Sequence, residues 1–555
     1  MPLTPDLRRK IDQIRDYLYG GGYPDPISNA EQLAFFFFFY LSEHWDRESA
    51  ARARLAGREH ASQFTGVWAL KNPLNAPAPE ANTIPAERLR WSAWARVLSG
   101  EPLVRFVRDE IFAFYARAAS RSAVNFMDGA RLTIDEPTVL AQVLNLVDEL
   151  RLEQADADTK GDLFEYVLGQ IKQAGELGQF RTPRHIIRAI VRMLDPQIGE
   201  TVYDPAAGTA GFLVAAYDHI RLQNSSEHAT EEIMLDGKTM RRGHGDKLSA
   251  AKWDILGRRT FYGNDVDLKM VHLATMNLTL RGLPDVFIRR RNVLTTALDA
   301  QQKAELGLPD EGYDVILANP PFSGRVDRDR LTDDVKIGAT RATEILFLKY
   351  MLDSLKAGGR CGVIVPEGVL FGSTKAHREI RRMLIENNTV EAVLSLPAGV
   401  FQPYSGVKTS VLLFTKGGTT ERVLFLWADN DGYKLDAQHN TPIEADDLPS
   451  LVEVFRNRAA RWSEWQEKSI HSPTMGEGQG GGERPIAWIN NWWFATREEL
   501  ATNEYNLSAG RYRPITHLQT EHREPLEILA ELRAMEDEIV REMEALETRL
   551  KETVL

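Results

Sequence analysis

Residues 314–324 read DVILANPPFSG, an acidic residue and an apolar run followed by Asn319, Pro320, Pro321 and Phe322. The carboxamide of Asn319 offers a hydrogen-bond acceptor where a buried strand should end. Prolines fix φ and carry no N–H, so the backbone at Pro320 and Pro321 can accept hydrogen bonds but not donate them. Phe322 adds an aromatic face beside these acceptors. A second cluster lies upstream, in TVYDPAAGTAGFLVAAYDHI, where Asp204, Gly208 and Gly211 stand between a strand and a helix. Small residues there let the backbone approach a ligand at the carboxyl end of a parallel strand; a purely structural tight turn would also account for them. The next strand, TFYGNDV, ends in Asp265, an acid placed to accept hydrogen bonds from both hydroxyls of a ribose. The usual spacing for such an acid is about 20 residues, and the segment 221–248 lengthens it here. Asn292, in RRNVL, follows a third strand and is placed to read an adenine edge.

These residues need a framework. Residues 1–160 predict a helical domain, with apolar residues at three- and four-residue spacing in ERLRWSAWARVLS and TVLAQVLNLVDELRL. Asp135 and Thr138 lie near a helix start, and LAFFFFFYL reads as a buried helix too short to cross a membrane. From about 161 to 420, within a domain expected to span 161–470, short β-branched runs alternate with amphipathic stretches, the pattern of an α/β fold with a doubly wound, largely parallel sheet. Its strands are expected in TVYDP, TFYGNDV, VFIRRRNV, YDVILANPP, RCGVIVP, VEAVLSLP and TSVLLFTK. Residues 221–248 read as a polar insertion loop and 471–485 as a Gly-rich linker or loop. A C-terminal segment, 486–555, is Trp-rich at first and then charged and helical.

Composition narrows the function classes. The net charge of −12 gives no bulk attraction to nucleic acid, although Arg241-Arg242, Arg258-Arg259, Arg289-Arg290-Arg291 and Arg381-Arg382 form local basic spots. Any DNA affinity would then come largely from a partner. The single cysteine, Cys361, excludes an internal disulfide framework and reads as a small core residue. The first residues lack a signal-peptide pattern, and a cytoplasmic, membrane-free protein is expected. The histidines lack the spacing of metal ligands, so no metal is expected, and His185 is expected on a helix surface.

The order of GQFRTPRHIIRAIV, DPAAGTAGFL, YGNDVD, RRNVL, NPPF and GVKTSVLLF resembles the S-adenosylmethionine-dependent, amino-methylating DNA methyltransferases. More narrowly, it is similar to the modification subunits of type I restriction–modification systems, over nearly the whole chain. The resemblance implies that Gln179, Phe180, Arg181, Thr182, Pro183 and Arg184 contact the methionine end of the cofactor. It implies that Asp204, Ala206, Gly208, Thr209, Ala210 and Gly211 line the pocket, that Asp265 holds the ribose and that Asn292 contacts the adenine. Many relatives carry Cys and Gly where this chain has Ala207 and Ala210; alanine should keep the turn. Thr182 and Pro183 also fit a helix N-cap followed by proline at the first helical position.

On this resemblance Asn319 and the Pro320 carbonyl would accept both N–H bonds of an adenine N6 amine, freeing its lone pair to attack a sulfonium methyl. Phe322 would stack on a base flipped out of the duplex, and Phe401 is a candidate second wall or, equally, a core residue. Implied partners are DNA, a separate specificity subunit, a second copy of this chain and, as an optional component, a motor–nuclease restriction subunit. The stripe Leu532, Ile539, Met543, Leu546 and Leu550 is expected to dock on helices of the specificity subunit. Rival readings are a stand-alone RNA or protein-glutamine methyltransferase and a catalytically silent DNA-clamping subunit.

Overall fold

A computed structural model describes residues 4–78, 81–119, 126–173, 182–283, 285–322, 324–402, 405–436, 439–470 and 490–514, with Arg533 and Met543. Its centre is a nine-stranded sheet of β1 (Val202–Asp204), β2 (Phe261–Asp265), β3 (Phe287–Arg290), β4 (Tyr313–Ala318), β5 (Leu355–Pro366), β6 (Thr389–Ser395), β7 (Thr409–Thr415), β8 (Arg422–Trp427) and β9 (Trp492–Thr496). The strand order is β9-β8-β6-β7-β5-β4-β1-β2-β3. Strands β3, β2, β1, β4 and β5 pair in parallel, whereas β7 is antiparallel to both of its neighbours and β9 is antiparallel to β8.

The central strands are short apolar runs because helices cover both faces, so they lack the polar alternation of a half-exposed sheet. Val315, Ile316, Leu317 and Ala318 of β4 are fully buried. Cys361 in β5 is buried too, which pushes its thiol well above the ordinary range. Strand order reverses at β1, flanked by β2 on one side and β4 on the other. Such a switch point opens a crevice at the carboxyl ends of the strands.

All seven expected strands form, and two more join the sheet. One is β8, in ERVLFLW. The other is β9, which lies beyond the Gly-rich stretch, so the segment after 485 contributes to the sheet. The segment 221–248 is not an irregular loop. Its first residues finish the helix Gly211–Gln223, and Thr230–Leu235 pairs with Lys238–Gly243 as an antiparallel hairpin. Asp236 and Gly237, at φ 51° and 77°, make its two-residue turn. Asp-Gly suits this turn because both central residues need positive φ.

The N-terminal region is helical apart from one small ribbon, Val67–Ala69 with Thr83–Pro85. Phe35, Phe36, Phe37 and Phe39 of the helix Pro26–Leu55 are fully buried, and each such side chain contributes roughly 1.5–3 kcal/mol. The helix beginning at Pro137 is capped by the Glu136 carboxylate, one residue from the expected start. Phe35 packs on His272 of the helix Leu268–Leu280 at 5.1 Å, and His272 Nδ1 lies 2.7 Å from Glu31 Oε1. These contacts seat the N-terminal helices against the helix that follows β2. No helix among the described residues is long and apolar enough to cross a membrane.

Candidate active site

Asp204 is the last residue of β1, Asp265 the last of β2, and Asn319 directly follows β4. Three adjacent parallel strands thus deliver three polar side chains to one edge. A cavity of about 1450 Å³ opens there, lined among others by Thr182, Asp204, Gly208, Asp265, Asn319 and Pro321. Asp25, Ile27, Glu165 and Tyr166 of the N-terminal region also line it.

The loop after β1 is held by backbone donors. Ala206 N–H donates to Asp204 Oδ1 at 3.0 Å, and Gly208 N–H donates to Asp265 Oδ2 at 2.9 Å. Ala207 N–H donates to the Asn264 carbonyl, and Asn277 Nδ2 donates to the Thr209 carbonyl, both at 2.9 Å. Arg281 in turn donates to Asn277 Oδ1 at 2.6 Å. Asn277 was not anticipated; its helix also carries Lys269, His272, Thr275 and Thr279, so nothing in the sequence singled it out. Gly208 has φ 51°, and Ala210 adopts φ 64° as the residue before the helix Gly211–Gln223. A non-glycine residue in the left-handed region carries strain.

Burial sets the electrostatics. Asp204 is 1% exposed, and desolvation, opposed by the Ala206 N–H and assisted by nearby Asp265, pushes its carboxyl up to about 8. Asp265 is also raised, first by desolvation, against hydrogen bonds from Asp267 and Gly208. A buried and a half-buried carboxyl side by side favour a cationic ligand, whose charge would offset their desolvation. S-adenosylmethionine, with its sulfonium, ammonium and ribose, fits this donor set.

Asn319 is fixed by a contact that the local sequence does not foretell. Its Nδ2 donates to Thr182 Oγ1 at 2.9 Å, while its Oδ1 is buried without a hydrogen-bond partner among the described residues. Thr182 therefore does not cap the helix Arg184–Leu194; the N-cap position is Pro183, with no side-chain cap. Thr343 Oγ1 lies within hydrogen-bonding distance of the Pro321 and Gly324 carbonyls, at 3.3 and 3.1 Å, and shapes the loop behind the motif. Phe322 and Phe401 meet edge to face, with centroids 5.5 Å apart and an 87° interplanar angle. They are 6% and 2% exposed.

Some expected site residues lie elsewhere. Among the described residues, the cavity lining does not include Asn292, Phe322 or Phe401. Asn292 Oδ1 accepts a hydrogen bond from Leu294 N–H at 3.1 Å, so its carboxamide is turned towards its own backbone. Pro183, Arg184, Ala206, Thr209 and Gly211 line the cavity; Pro320 and Ala210 are not among its lining residues. Gln179, Phe180 and Arg181 lie outside the described residues. His185 is not a surface histidine: its Nε2 is 2.9 Å from Asp431 Oδ2, and its ring stacks on Tyr433.

A doubly wound sheet with acids at the ends of its first two strands and an Asn-Pro-Pro-Phe turn after the fourth is the fold of an S-adenosylmethionine-dependent methyltransferase. Residues 155–521 match the family model for N-6 DNA methylase, and the chain belongs to that family. It is similar to the type I restriction enzyme EcoEI methylase subunit of Escherichia coli, 30% identical over 405 residues that span 69% of this chain and 74% of that one. The EcoKI methylase subunit of Escherichia coli K12 is 32% identical over 298 residues, about half of each chain (51% and 50%). A chain from a structural study of assembly and conformational transition of the type I R-M system superposes with a TM-score of 0.65 at 25% identity, covering 99% of both chains. The methyltransferase subunit of the Streptococcus thermophilus type I restriction-modification system shares the fold, with a TM-score of 0.60 at 17% identity, covering 91% of this chain and 98% of that one.

Proposed function

We infer that this chain transfers a methyl group from S-adenosylmethionine to the N6 amine of adenine in DNA, as the modification subunit of a type I restriction–modification complex. A separate specificity subunit selects the sequence, two copies of this chain serve each assembly, and a motor–nuclease subunit can join them. Family membership supports the reaction, and action on DNA fits a cytoplasmic location.

The observation that carries the site assignment is the buried Asn319 Oδ1, which has no hydrogen-bond partner among the described residues while Nδ2 is held by Thr182. A buried acceptor left unpaired costs about 1–3 kcal/mol, a cost relieved when a ligand donates to it. An adenine N6 amine is such a donor. Its second N–H is assigned to the Pro320 carbonyl, leaving the nitrogen lone pair free to attack. S-adenosylmethionine supplies the electrophilic methyl when bound beside Asp204 and Asp265. Transfer then depends on in-line positioning, and the amine sheds its proton afterwards without a dedicated base. The Phe322–Phe401 pair would part to admit the flipped base, each ring covering one face.

Asn319→Ala tests this reading. With the specificity subunit, DNA and labelled cofactor, the single-turnover rate should fall about 100- to 1000-fold, the scale for one positioned hydrogen-bonding group. Cofactor affinity should stay nearly unchanged. Near-normal turnover would remove Asn319 from the reaction. Parallel incubations with RNA and protein would expose either stand-alone rival, and an inactive wild-type complex would favour the silent clamp.

A further inference from the structure

We propose that His185, Asp431 and His439 form a mononuclear site for a divalent transition metal of the zinc class. This assignment is independent of the methyl-transfer reading. His185 is the second residue of the helix Arg184–Leu194, Asp431 opens the strand Asp431–Tyr433, and His439 lies between that strand and its partner Pro442–Asp446. One ligand atom from each lies within 4.8 Å of the other two. Asp431 Oδ2 is 2.9 Å from His185 Nε2 and 2.8 Å from His439 Nε2.

The tautomer of His439 is the decisive feature. Its side chain is completely buried. Nδ1 faces the Val400 carbonyl at 3.2 Å, an atom that can only accept, so Nδ1 carries the ring proton. That leaves Nε2 as a lone pair 2.8 Å from a carboxylate oxygen, with no donor to it among the described residues. A lone pair facing a carboxylate in a buried place is repulsive unless a cation lies between them. The nitrogen and the carboxylate oxygen each call for a positive partner. A metal ion meets both requirements, because coordinating nitrogen and oxygen point at the ion rather than at each other.

The surroundings match those of a metal centre. A ligating histidine typically donates its other ring N–H to a carbonyl or carboxylate, as His439 does to Val400. The second Asp431 oxygen accepts from Tyr433 N–H at 3.2 Å, which orients the carboxylate. Two imidazoles and one carboxylate suit zinc, nickel or cobalt better than magnesium or calcium. Three protein ligands leave a fourth position for water. His185 and His439 both line the large cavity, which provides an entry path. The ion would fasten the Asp431–Asp446 ribbon to the helix that begins two residues after Thr182.

The test uses the full chain without a histidine tag, stripped by chelator and then titrated with zinc or cobalt. One equivalent should survive gel filtration, cobalt should give the intense visible bands of a low-coordinate nitrogen–oxygen site, and saturating zinc should raise Tm by several degrees. His439→Gln and Asp431→Asn should lose the equivalent and the Tm response. His185→Gln, at a ring 13% exposed rather than fully buried, serves as a milder variant if those two fold poorly. A wild-type chain that retains no metal, a cobalt spectrum of the six-coordinate aquo type, or undiminished uptake by His185→Gln would overturn the site.

Discussion

Asp204 illustrates how a site residue is kept at a cost to the fold. Its carboxyl is raised from 3.8 to about 8, chiefly by desolvation. An acid raised on folding binds more protons in the folded than in the unfolded state, so stability of the free chain falls as pH rises from 3.8 to about 8. Asp204→Asn removes that slope. Thermal melts of the free chain should converge in acid, and the variant should be the more stable at about pH 8 and above, by at most about 6 kcal/mol. The same variant should bind cofactor more weakly, because an uncharged amide offers a cation less. Parallel melts for both chains would show that desolvation of this group is not felt. Asp265→Ala should weaken cofactor binding by roughly 10- to 150-fold, the equivalent of about 1.5–3 kcal/mol for a hydrogen bond to a charged group; calorimetry measures it, and unchanged affinity would mean that another residue holds the ribose. Both acids were legible in the sequence because each ends a strand of recognisable composition. The partnership of Thr182 with Asn319 was not, since 137 residues separate them. The His185–Asp431 contact, across 246 residues, escaped for the same reason. Spacing rules find ligands on one element and miss those assembled from several.

Ala210 links the residues to the elements. It stands at φ 64° immediately before the helix Gly211–Gln223, where its carbonyl begins the helix and its side chain caps nothing. The left-handed conformation costs alanine roughly 1–2 kcal/mol. Glycine gives back about 0.5–1 kcal/mol of that through its freer unfolded chain. Glycine also caps a helix better than alanine does. Ala210→Gly should therefore stabilise the chain by about 1 kcal/mol, read from the midpoint of a denaturant melt. A destabilised variant would show that the buried Ala210 methyl matters more than its backbone strain. Among the elements, the seven expected strands were visible because buried parallel strands are uninterrupted apolar runs. Strand β8 has the same character in VLFLW and lay just past the last recognised motif. Strand β9 was obscured by its tryptophans and by the Gly-rich stretch before it. The hairpin at 230–243 was hidden by its charge, although Asp236-Gly237 is a strong turn signal.

Over the whole molecule, charge argues for a partner. The net charge is −12, and several basic spots are spent internally. Arg242 is 7% exposed and pairs with Asp162 through two hydrogen bonds at 2.9 and 2.8 Å. Arg381 is 2% exposed and donates to the Tyr505, Val369 and Gly372 carbonyls. Neither can neutralise a DNA phosphate, which leaves more of the attraction that nucleic acid needs to a partner. The proposed grip on the specificity subunit is the C-terminal stripe. Of its residues, Leu532, Ile539, Leu546 and Leu550 lie outside the described residues, while Met543 is helical and 65% exposed. Residues 464–490 and 513–555 group apart from the unit that carries the sheet and the cavity. Removing residues 524–555 should therefore leave cofactor binding intact while sharply reducing both co-purification with the specificity subunit and DNA methylation. Calorimetry on the truncated chain, a pull-down and a methylation assay separate the outcomes. A truncated chain that still assembles and methylates would remove the stripe from the interface. One that no longer binds cofactor would place the C-terminal helix in the catalytic core, with the partner held by another surface.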